Sequence, residues 1–317
     1  MIKKYFPFTI IFFIGVFFGL TIHDLAPSLQ EVRLTNPRAE VRYTVDKKSE
    51  ENSNFKEAIQ LFIQEATKSG DILSISVYFR AFGDGSWFGI REDISYAPAS
   101  LLKVPLMIAY FKRAQVEQGI LEKKIFYAGG EDRNEKELTR TASSLLPGTY
   151  STLKLIERMI VHSGNNSQQV LEENIDKTFY KEVYTDLGLP FKKSEQEINF
   201  VSAKEIAIVF RILYNASYLN RASSERTLDF LTRTDFQDGL VGGVPDSLTV
   251  AHKFGERAYR IVQDTDEVIV IEFHDCGIVY ALRNPYILCI MTKGQSLEEQ
   301  KQAIQTISGL VYRKVTE

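Results

Sequence analysis

Strand patterns at both ends of this 317-residue chain, with helical patterns between them, are the strongest constraint on its fold. Residues 72–82 and 87–90 are rich in β-branched and aromatic side chains, and Gly83-Asp84-Gly85 between them predicts a hairpin. Apolar spacing predicts a helix that Gly70 ends and a last amphipathic helix at 297–313. The other predicted elements are helices at 101–118, 152–162, 166–175, 203–216 and 224–234 and strands at 249–254, 267–273, 277–283 and 286–292.

This order indicates a mixed α/β fold of the α+β type. Strands from both chain ends would form one antiparallel sheet, the terminal helices would cover it, and an all-helical lobe would lie alongside. The sequence contains no internal repeat and no low-complexity stretch. We therefore assign residues 54–317 to one folded domain.

The first 23 residues are of a different kind. Lys3 and Lys4 precede an apolar run from Tyr5 to Ile22, which as a helix would span roughly 27 Å, close to the thickness of a hydrocarbon core. The two lysines favour a cytoplasmic N-terminus. We predict a transmembrane anchor over 1–23, with a cleavable signal peptide as the alternative. Residues 24–53 are polar and are interpreted as a tether, so the protein would be a single-pass cell-membrane protein with an extracytoplasmic domain.

Composition excludes several other classes of protein. A formal net charge of −3 provides no electrostatic footprint for nucleic acid. The four His and two Cys lack metal-ligand spacing, so no metal or cofactor is expected. Cys276 and Cys289 flank a predicted tight turn at 283–286, and we expect two buried free thiols, with a disulfide as the alternative. We expect a monomer.

The pattern Ser-x-x-Lys occurs three times, at Ser53, Ser100 and Ser151, whereas roughly one match is expected by chance. Ser53 lies in the polar tether. Ser151 precedes an amphipathic helix and is interpreted as its N-cap. Ser100 opens a helix that is apolar almost all round, which is typical of a buried helix. Lys103 in its first turn is therefore unusual, because lysine is almost never buried without a partner.

Ser100 and Lys103 fit nucleophilic catalysis. Residues i and i+3 share a helix face, so the Lys103 amine is expected to reach the Ser100 hydroxyl and take its proton. A lysine pKa is normally about 10.4; burial and a second nearby cation can lower it enough for this role. Pro105 is expected to distort the start of the helix.

Two further motifs follow in order. Residues 163–165 are Ser-Gly-Asn directly after a predicted helix, and residues 253–255 are Lys-Phe-Gly in a predicted strand. The set Ser-x-x-Lys, Ser-x-Asn and Lys-x-Gly resembles that of class A β-lactamases and the related penicillin-binding proteins. The resemblance covers about 54–317 and includes the order of strands and helices. It implies a serine hydrolase that forms an acyl-enzyme with a β-lactam or a peptidoglycan stem peptide.

The resemblance also implies catalytic roles. Ser100 would be acylated, Lys103 would act as its base, and Ser163 would pass a proton to the leaving nitrogen. The backbone N–H groups of Ser100 and Glu256 would form the oxyanion hole.

Substrate binding is implied in the same way. Asn165 would hydrogen-bond the substrate amide and Lys103. Lys253 would attract the substrate carboxylate and help to lower the pKa of Lys103. Gly255, the last residue of the third motif, would lie beside the substrate.

Three features depart from the family pattern. Phe254 replaces the Thr or Ser of the third motif, so a hydroxyl contact to the substrate carboxylate is missing. Glu256 places a carboxylate beside the oxyanion position. Glu195 resembles the deacylating Glu of class A enzymes, but the next helix is predicted to begin at Ser202, which leaves a short loop. Its alternative role is that of a solvated loop carboxylate, and we predict slow release of the acyl group.

Other interpretations remain open. His162, His252 and His274 suggest a Ser-His-Asp triad, although no Gly-x-Ser-x-Gly sequence is present. Asp275, in a segment interpreted as a turn, is a candidate for orienting substrate. The competing functions are a β-lactamase, a D,D-peptidase, and a non-catalytic wall-binding module on a decayed enzyme fold.

Overall fold

The structure is a computed structural model that describes residues 33–36, 53–135, 137–139, 144–191, 199–263, 266–282 and 284–317. The chain divides into two compact units, Met1–Arg33 and Leu34–Glu317, and the second contains every element below. The predicted anchor at 1–23 lies outside the described residues. Across the ranges given above, no helix combines the length and the apolar character that a membrane crossing requires.

Near both ends of the second unit, strands alternate with helices. The middle of the unit is mainly helical. In chain order they are α1 (Ser53–Ala66), β1 (Ile72–Ala81), β2 (Trp87–Ile90), β3 (Ser95–Tyr96), a 3₁₀ helix (Ala99–Leu102), α2 (Lys103–Ala114), β4 (Lys124–Tyr127), β5 (Gly148–Ser151), α3 (Thr152–Val161), α4 (Asn165–Glu173), α5 (Lys177–Asp186), β6 (Val201–Ser202), α6 (Ala203–Tyr214), α7 (Arg221–Thr232), a 3₁₀ helix (Val241–Gly243), β7 (Val250–Gln263), β8 (Asp266–Val279), β9 (Tyr286–Gly294) and α8 (Leu297–Thr316).

Both chain ends contribute to one sheet, as the sequence predicts. Its five strands lie in the order β2-β1-β9-β8-β7. The antiparallel pairing of β1 with β9, in which Val77 lies opposite Ile290, joins the N-terminal hairpin to the C-terminal strands. β7 is an edge strand, so one of its sides is available to line a cleft. The expected fold class is confirmed.

The two faces of the sheet pack against different layers. In β9, Leu288 and Ile290 belong to the core beneath α1 and α8, whereas Cys289 and Met291 belong to the core of the helical lobe. This alternation follows from the two-residue period of a strand. Because both faces are covered, the strand is an almost continuous apolar run.

The strand prediction for 267–283 is wrong in detail. One strand, β8, continues from Asp266 to Val279 and pairs with β7 along its whole length. The segment 274–277 therefore lies within a strand and forms no turn. The polar side chains of this segment find their hydrogen-bond partners in the tertiary structure. Local sequence patterns do not show such partners. The helix α5 is also absent from the predicted elements.

The expectation of two free thiols is wrong. Cys276 and Cys289 lie opposite each other in β8 and β9 and form a disulfide. The last pair of this ladder is Val279 with Tyr286, so the connection is wider than the predicted tight turn. That width sets a register in which the two cysteines meet.

Four residues of the predicted tether, 33–36, are described. The backbone N–H of Leu34 donates to Glu225 Oε1 at 2.7 Å, and the Thr35 hydroxyl donates to Glu225 Oε2 at 2.7 Å. Tyr280 donates its hydroxyl to the Leu34 carbonyl at 2.7 Å. Residues 34 and 35 are buried, so this part of the segment packs against the folded domain.

Candidate active site

Ser100 lies in the 3₁₀ helix that leads directly into α2. Pro105 has no N–H to donate to a carbonyl one turn earlier, and the helix begins with the tighter 3₁₀ geometry. Ala99 has a φ of +49°, a conformation that costs a non-glycine residue about 1–2 kcal/mol. This strained turn presents Ser100 at a cleft of about 350 Å³.

The segment before Ser100 is held by β8 and β9. The Ala97 N–H donates to Glu272 Oε2 at 2.7 Å, and His274 Nε2 donates to the Ala97 carbonyl at 3.1 Å. His274 Nδ1 accepts the Thr292 N–H at 3.2 Å. Burial lowers the pKa of His274 to about 4, so the imidazole is neutral at pH 7 and keeps this tautomer. His274 thereby positions the backbone of the Ser100 turn.

Lys103, the first residue of α2, is fully buried, with 0% of its surface exposed. Its Nζ donates to the Ser163 carbonyl at 2.7 Å, to Ser163 Oγ at 3.0 Å and to Asn165 Oδ1 at 2.7 Å. Ser163 Oγ in turn donates to Ser100 Oγ at 3.3 Å. Within the described residues, Lys103 therefore reaches Ser100 through Ser163, whereas the sequence predicts direct contact.

Lys253 on β7 approaches Ser163 from the opposite side. Its Nζ donates to Ser163 Oγ at 3.0 Å and to the Phe254 carbonyl at 3.2 Å. The Ser163 hydroxyl thus accepts from both lysines and donates to Ser100, which uses its full hydrogen-bonding capacity. We call Ser100, Lys103, Ser163 and Lys253 the floor of the cleft.

Gly255 allows β7 to reach this floor. A Cβ atom at that position would lie 2.6 Å from the Pro98 carbonyl oxygen and 3.1 Å from the Ser100 amide nitrogen. Only glycine permits such an approach of the two backbones. Glu256 is the next residue, so its main chain leaves this point of close approach to the Ser100 turn.

The floor destabilises the charged form of both lysines. Burial lowers the pKa of Lys103 to about 8, although Glu137, Glu172 and Glu256 act in the opposite direction. Burial, and then the charge of Lys103, hold the pKa of Lys253 well below its usual range. Two ammonium groups bonded to one hydroxyl would repel each other, so simultaneous protonation of both lysines is disfavoured. A lysine that titrates near neutral pH can take and return a proton.

This arrangement agrees with the comparison to known sequences. A model of the β-lactamase enzyme family matches residues 54–315. The chain belongs to this family. No curated protein sequence matches the chain.

Several solved structures share the fold at low sequence identity. A point mutant of PBP-A, in an acyl-enzyme complex with penicillin G, has a TM-score of 0.69 at 20% identity and covers 84% of this chain and 98% of its own. A β-lactamase from Chitinophaga pinensis has a TM-score of 0.67 at 17% identity, over 83% of this chain and 99% of its own. The class A β-lactamase from Mycobacterium abscessus has a TM-score of 0.65 at 17% identity, over 82% and 100%.

The third motif of this family member departs from the family pattern in a way that the structure explains. Phe254 is 2% exposed, and its ring stacks on Phe236 with centroids 4.3 Å apart. It belongs to the core between the sheet and the terminal helices, with Phe273. Since Lys253 faces the floor, its neighbour in the strand faces the other layer. The ring packs in that layer, and the centroid of its face also lies 4.1 Å from Lys253 Nζ, so it contacts the floor without offering a hydroxyl to the cleft.

The mouth of the cleft carries two carboxylates, Glu137 and Glu256, which we call the rim. Glu256 Oε1 accepts the Thr139 N–H at 2.7 Å, across the cleft from β7. Both glutamates line the cavity with Ser100. Burial raises the pKa of Glu137, which Lys103 opposes and Glu256 reinforces. The two carboxylates therefore interact electrostatically with each other and with the floor.

Glu137 is a site residue that sequence analysis missed. Its Oε1 accepts from Asn165 Nδ2 at 2.7 Å, and its Oε2 accepts from Asn134 Nδ2 at 2.8 Å. Asn134 Oδ1 also accepts the Asn165 N–H at 3.0 Å. The loop that carries Glu137 has no periodic pattern, so no local signal distinguishes this carboxylate from a solvated one.

The histidines do not form a triad with Ser100 in the described residues. His252 is buried, and its Nδ1 lies 2.9 Å from Asp275 Oδ1. Asp275 also accepts the Leu240 N–H at 2.8 Å and so supports the sheet instead of orienting substrate. His162 contacts Asp235, and His274 holds Ala97. Glu195 lies outside the described residues. Among the residues that the structure does describe, no group of three or more His, Cys, Asp or Glu side chains is suited to hold a metal ion.

Proposed function

We propose that this protein is a membrane-anchored serine hydrolase that forms an acyl-enzyme at Ser100 with β-lactams or D-Ala-D-Ala-type peptides and releases the acyl group slowly. The observation that supports acylation is the Ser163 hydroxyl, which bonds to Ser100 and both buried lysines. A hydroxyl so placed connects a nucleophile to a base whose pKa lies near neutral.

The acylation step follows from these contacts. When Lys103 is neutral, the donor roles along this chain reverse, so that Ser100 donates to Ser163 and Ser163 donates to Lys103. The Ser163 hydroxyl then gives its proton to Lys103 and takes that of Ser100, while Ser100 Oγ bonds to the substrate carbonyl carbon. The N–H groups of Ser100 and Glu256 stabilise the oxyanion, and each donor contributes about 3 kcal/mol in such sites. When the amide C–N bond breaks, Lys103 returns the proton through Ser163 to the leaving nitrogen. Asn165, which accepts from Lys103 at 2.7 Å, keeps the amine in place.

Slow release rests on the loop that precedes α6. Ser202 caps α6, with Glu205 completing a capping box, so the helix begins where the sequence predicts and little sequence separates it from Glu195. A class A enzyme uses a Glu of this loop to activate water. The loss of a general base slows a step by about 10²–10⁴-fold. Burst acylation followed by slow release is therefore expected, and the Glu195→Gln variant should change release little.

The same protein provides the test of acylation. Mass spectrometry of the full-length chain in detergent, after exposure to benzylpenicillin, should show the mass of the intact drug on Ser100. Ser100→Ala should abolish this adduct, and Ser151→Ala, which alters another Ser-x-x-Lys match, should keep it. Labelling that persists in Ser100→Ala contradicts the assignment. No adduct in the wild-type protein would favour a non-catalytic wall-binding module.

The lifetime of the adduct distinguishes the enzyme types. Rapid steady-state hydrolysis of benzylpenicillin that disappears in Glu195→Gln while the burst remains would identify a class A-type β-lactamase. A long-lived adduct, together with release of D-alanine from a D-Ala-D-Ala peptide, would identify a D,D-peptidase.

The proposed location rests on the apolar run from Tyr5 to Ile22. Residues 1–23 should remain on the mature, monomeric protein and keep it in the membrane fraction. An N-terminus found between residues 20 and 30 would instead show a cleaved signal peptide.

A further inference from the structure

The hydrogen-bonding character of the rim points to a particular substrate class. We propose, on the basis of the function above, that the cleft selects acyl donors that carry a positive charge or N–H donors beside the scissile bond. Glu137 and Glu256 are the specificity-determining residues.

Glu137 accepts the hydrogen bond from Asn165 that the family resemblance assigns to the carbonyl of an acyl donor. Asn165 Nδ2 is expected to bind the substrate amide oxygen, but both of its hydrogens already have partners. One donates to Glu137 Oε1 at 2.7 Å, and the other donates to the Arg133 carbonyl at 3.2 Å. A substrate carbonyl would compete with a carboxylate for the same donor. A substrate N–H or ammonium would instead bond to Glu137 directly.

Glu256, on the opposite wall of the cleft, also offers an acceptor to the substrate. Its Oε1 accepts from Thr139, and its Oε2 is buried and has no hydrogen-bond partner among the described residues. A buried acceptor without a partner costs about 1–3 kcal/mol. The hydroxyl that would hold a substrate carboxylate is absent, because Phe254 packs on Phe236 in the other layer. A carboxylate is thus disfavoured here, and a donor would satisfy Glu256 Oε2.

The charges around the mouth of the cleft act in the same direction. Glu137 and Glu256 lie close enough to repel each other, and a cation between them relieves that repulsion. Arg257 also lines the cleft, so the charged groups of this lining are two carboxylates and one guanidinium. The guanidinium lies over the Tyr259 ring, 5.9 Å from the centroid. The two lysines of the floor are buried below Ser163, so protein atoms separate their charges from the rim.

An adjoining pocket extends the negative surface. It has a volume of about 420 Å³ and shares Asn165 and Gln168 with the cleft. Its other lining residues include three carboxylates and one guanidinium, from Glu131, Asp132, Glu172 and Arg133. An extended donor with an amine-bearing side chain would pass from the cleft into this pocket.

Three penicillins with the same reactive ring test the selectivity. Ampicillin carries an α-amino group on the phenylacetyl side chain, benzylpenicillin carries none, and carbenicillin carries an α-carboxylate. Second-order acylation rates at Ser100 of the full chain in detergent should fall in that order. One unit charge a few ångströms from two carboxylates changes sign along the series. The acylation rates of ampicillin and carbenicillin should therefore differ by about 10-fold or more. The ratio should shrink in high salt.

Single variants then identify the source of the ratio. Glu137→Gln and Glu256→Gln keep the shape of each side chain and should each move the ampicillin-to-carbenicillin ratio towards one. Glu173→Gln, which removes an exposed carboxylate of α4 that bonds to Gln169 at 2.7 Å, should leave the ratio unchanged. Because each variant is compared across substrates, a general loss of acylation does not affect the ratio.

The outcomes separate the two proposals. Labelling of Ser100 at equal rates by all three compounds, or faster by carbenicillin, overturns the selectivity and leaves the proposed function intact. A ratio that persists in both rim variants also overturns the assignment to Glu137 and Glu256. No labelling by any of the three overturns the proposed function, and the selectivity falls with it.

Discussion

The floor and the rim of the cleft lie side by side but differ in their relation to the family. The floor holds Ser100, two buried lysines and the connecting Ser163, all of which the motifs name, although Lys103 reaches Ser100 through Ser163 instead of directly. The rim carries two carboxylates, and sequence analysis named one of them, Glu256, as a departure and missed the other, Glu137. The floor therefore follows the family motifs, whereas the rim does not.

This difference has a structural origin. The floor lies where α2, the start of α4 and β7 meet, and each of its lysines is fully buried. A change there leaves a buried charge without a partner, which is costly. Glu137 lies on an irregular loop, and the side chain of Glu256 extends from an edge strand. Such positions tolerate change at little cost to the fold.

The largest effect is expected when Lys103 of the floor is altered. Lys103→Arg keeps a positive charge but cannot become neutral, so acylation should fall by about 10²-fold or more, within the range of a lost general base. Stopped-flow acylation by benzylpenicillin measures this loss, and thermal unfolding verifies the fold. Lys154→Arg, at the exposed third Ser-x-x-Lys match, is the matched control. Near-normal acylation in Lys103→Arg would place the base elsewhere.

A smaller effect is expected in the pH dependence of acylation, which couples the floor to the rim. With a pKa of about 8, Lys103 is mostly protonated at pH 7 and mostly neutral at pH 9, so the acylation rate constant should rise about 10-fold over this interval. Glu137 raises the pKa of Lys103, and its charge stabilises the ammonium. Glu137→Gln should therefore move the midpoint to lower pH. A midpoint that moves upward, or stays in place, would show that rim and floor are not coupled.

The smallest effect on acylation is expected from Phe254. Phe254→Thr restores the family's hydroxyl in sequence, but the side chain packs against Phe236 and Phe273 in the outer layer. The centroid of its ring also lies 4.1 Å from Lys253 Nζ, a contact that this variant loses. The free energy of unfolding should fall by about 3 kcal/mol, as for other large-to-small core changes, and acylation by carbenicillin should change less than about threefold. A large gain in that rate would show that the third motif, and not the rim, limits recognition.

Much of the fold is readable from local patterns. Ser151 caps α3 through the Lys154 N–H, and Ser202 caps α6, both at the predicted positions. These features depend on a few neighbouring residues, so the local sequence contains the information. The predicted break at 274–277 failed because pairing with β7 and β9 decides the state of that segment. The anchor, the tether as a whole and Glu195 remain predictions.

The site divides in the same way. The order of three motifs and an apolar helix around Lys103 were enough to name Ser100, Lys103, Ser163, Asn165, Lys253, Gly255 and Glu256 as candidates. The structure brings these residues together around one cleft. It also adds Glu137, whose carboxylate lies 28 residues from Asn165 in sequence and has no helical or strand period to mark it.

The sequence by itself determined the buried lysine at the start of a helix, the glycine that lets β7 approach, and the sheet built from both chain ends. Each depends on residue type and short-range spacing, which are properties of the sequence itself. Only the tertiary structure decided that Cys276 meets Cys289, that Phe254 turns to the outer layer, and that Glu137 and Glu256 share one cleft. Those facts depend on the register of paired strands and on the path of an irregular loop, and long-range packing sets both.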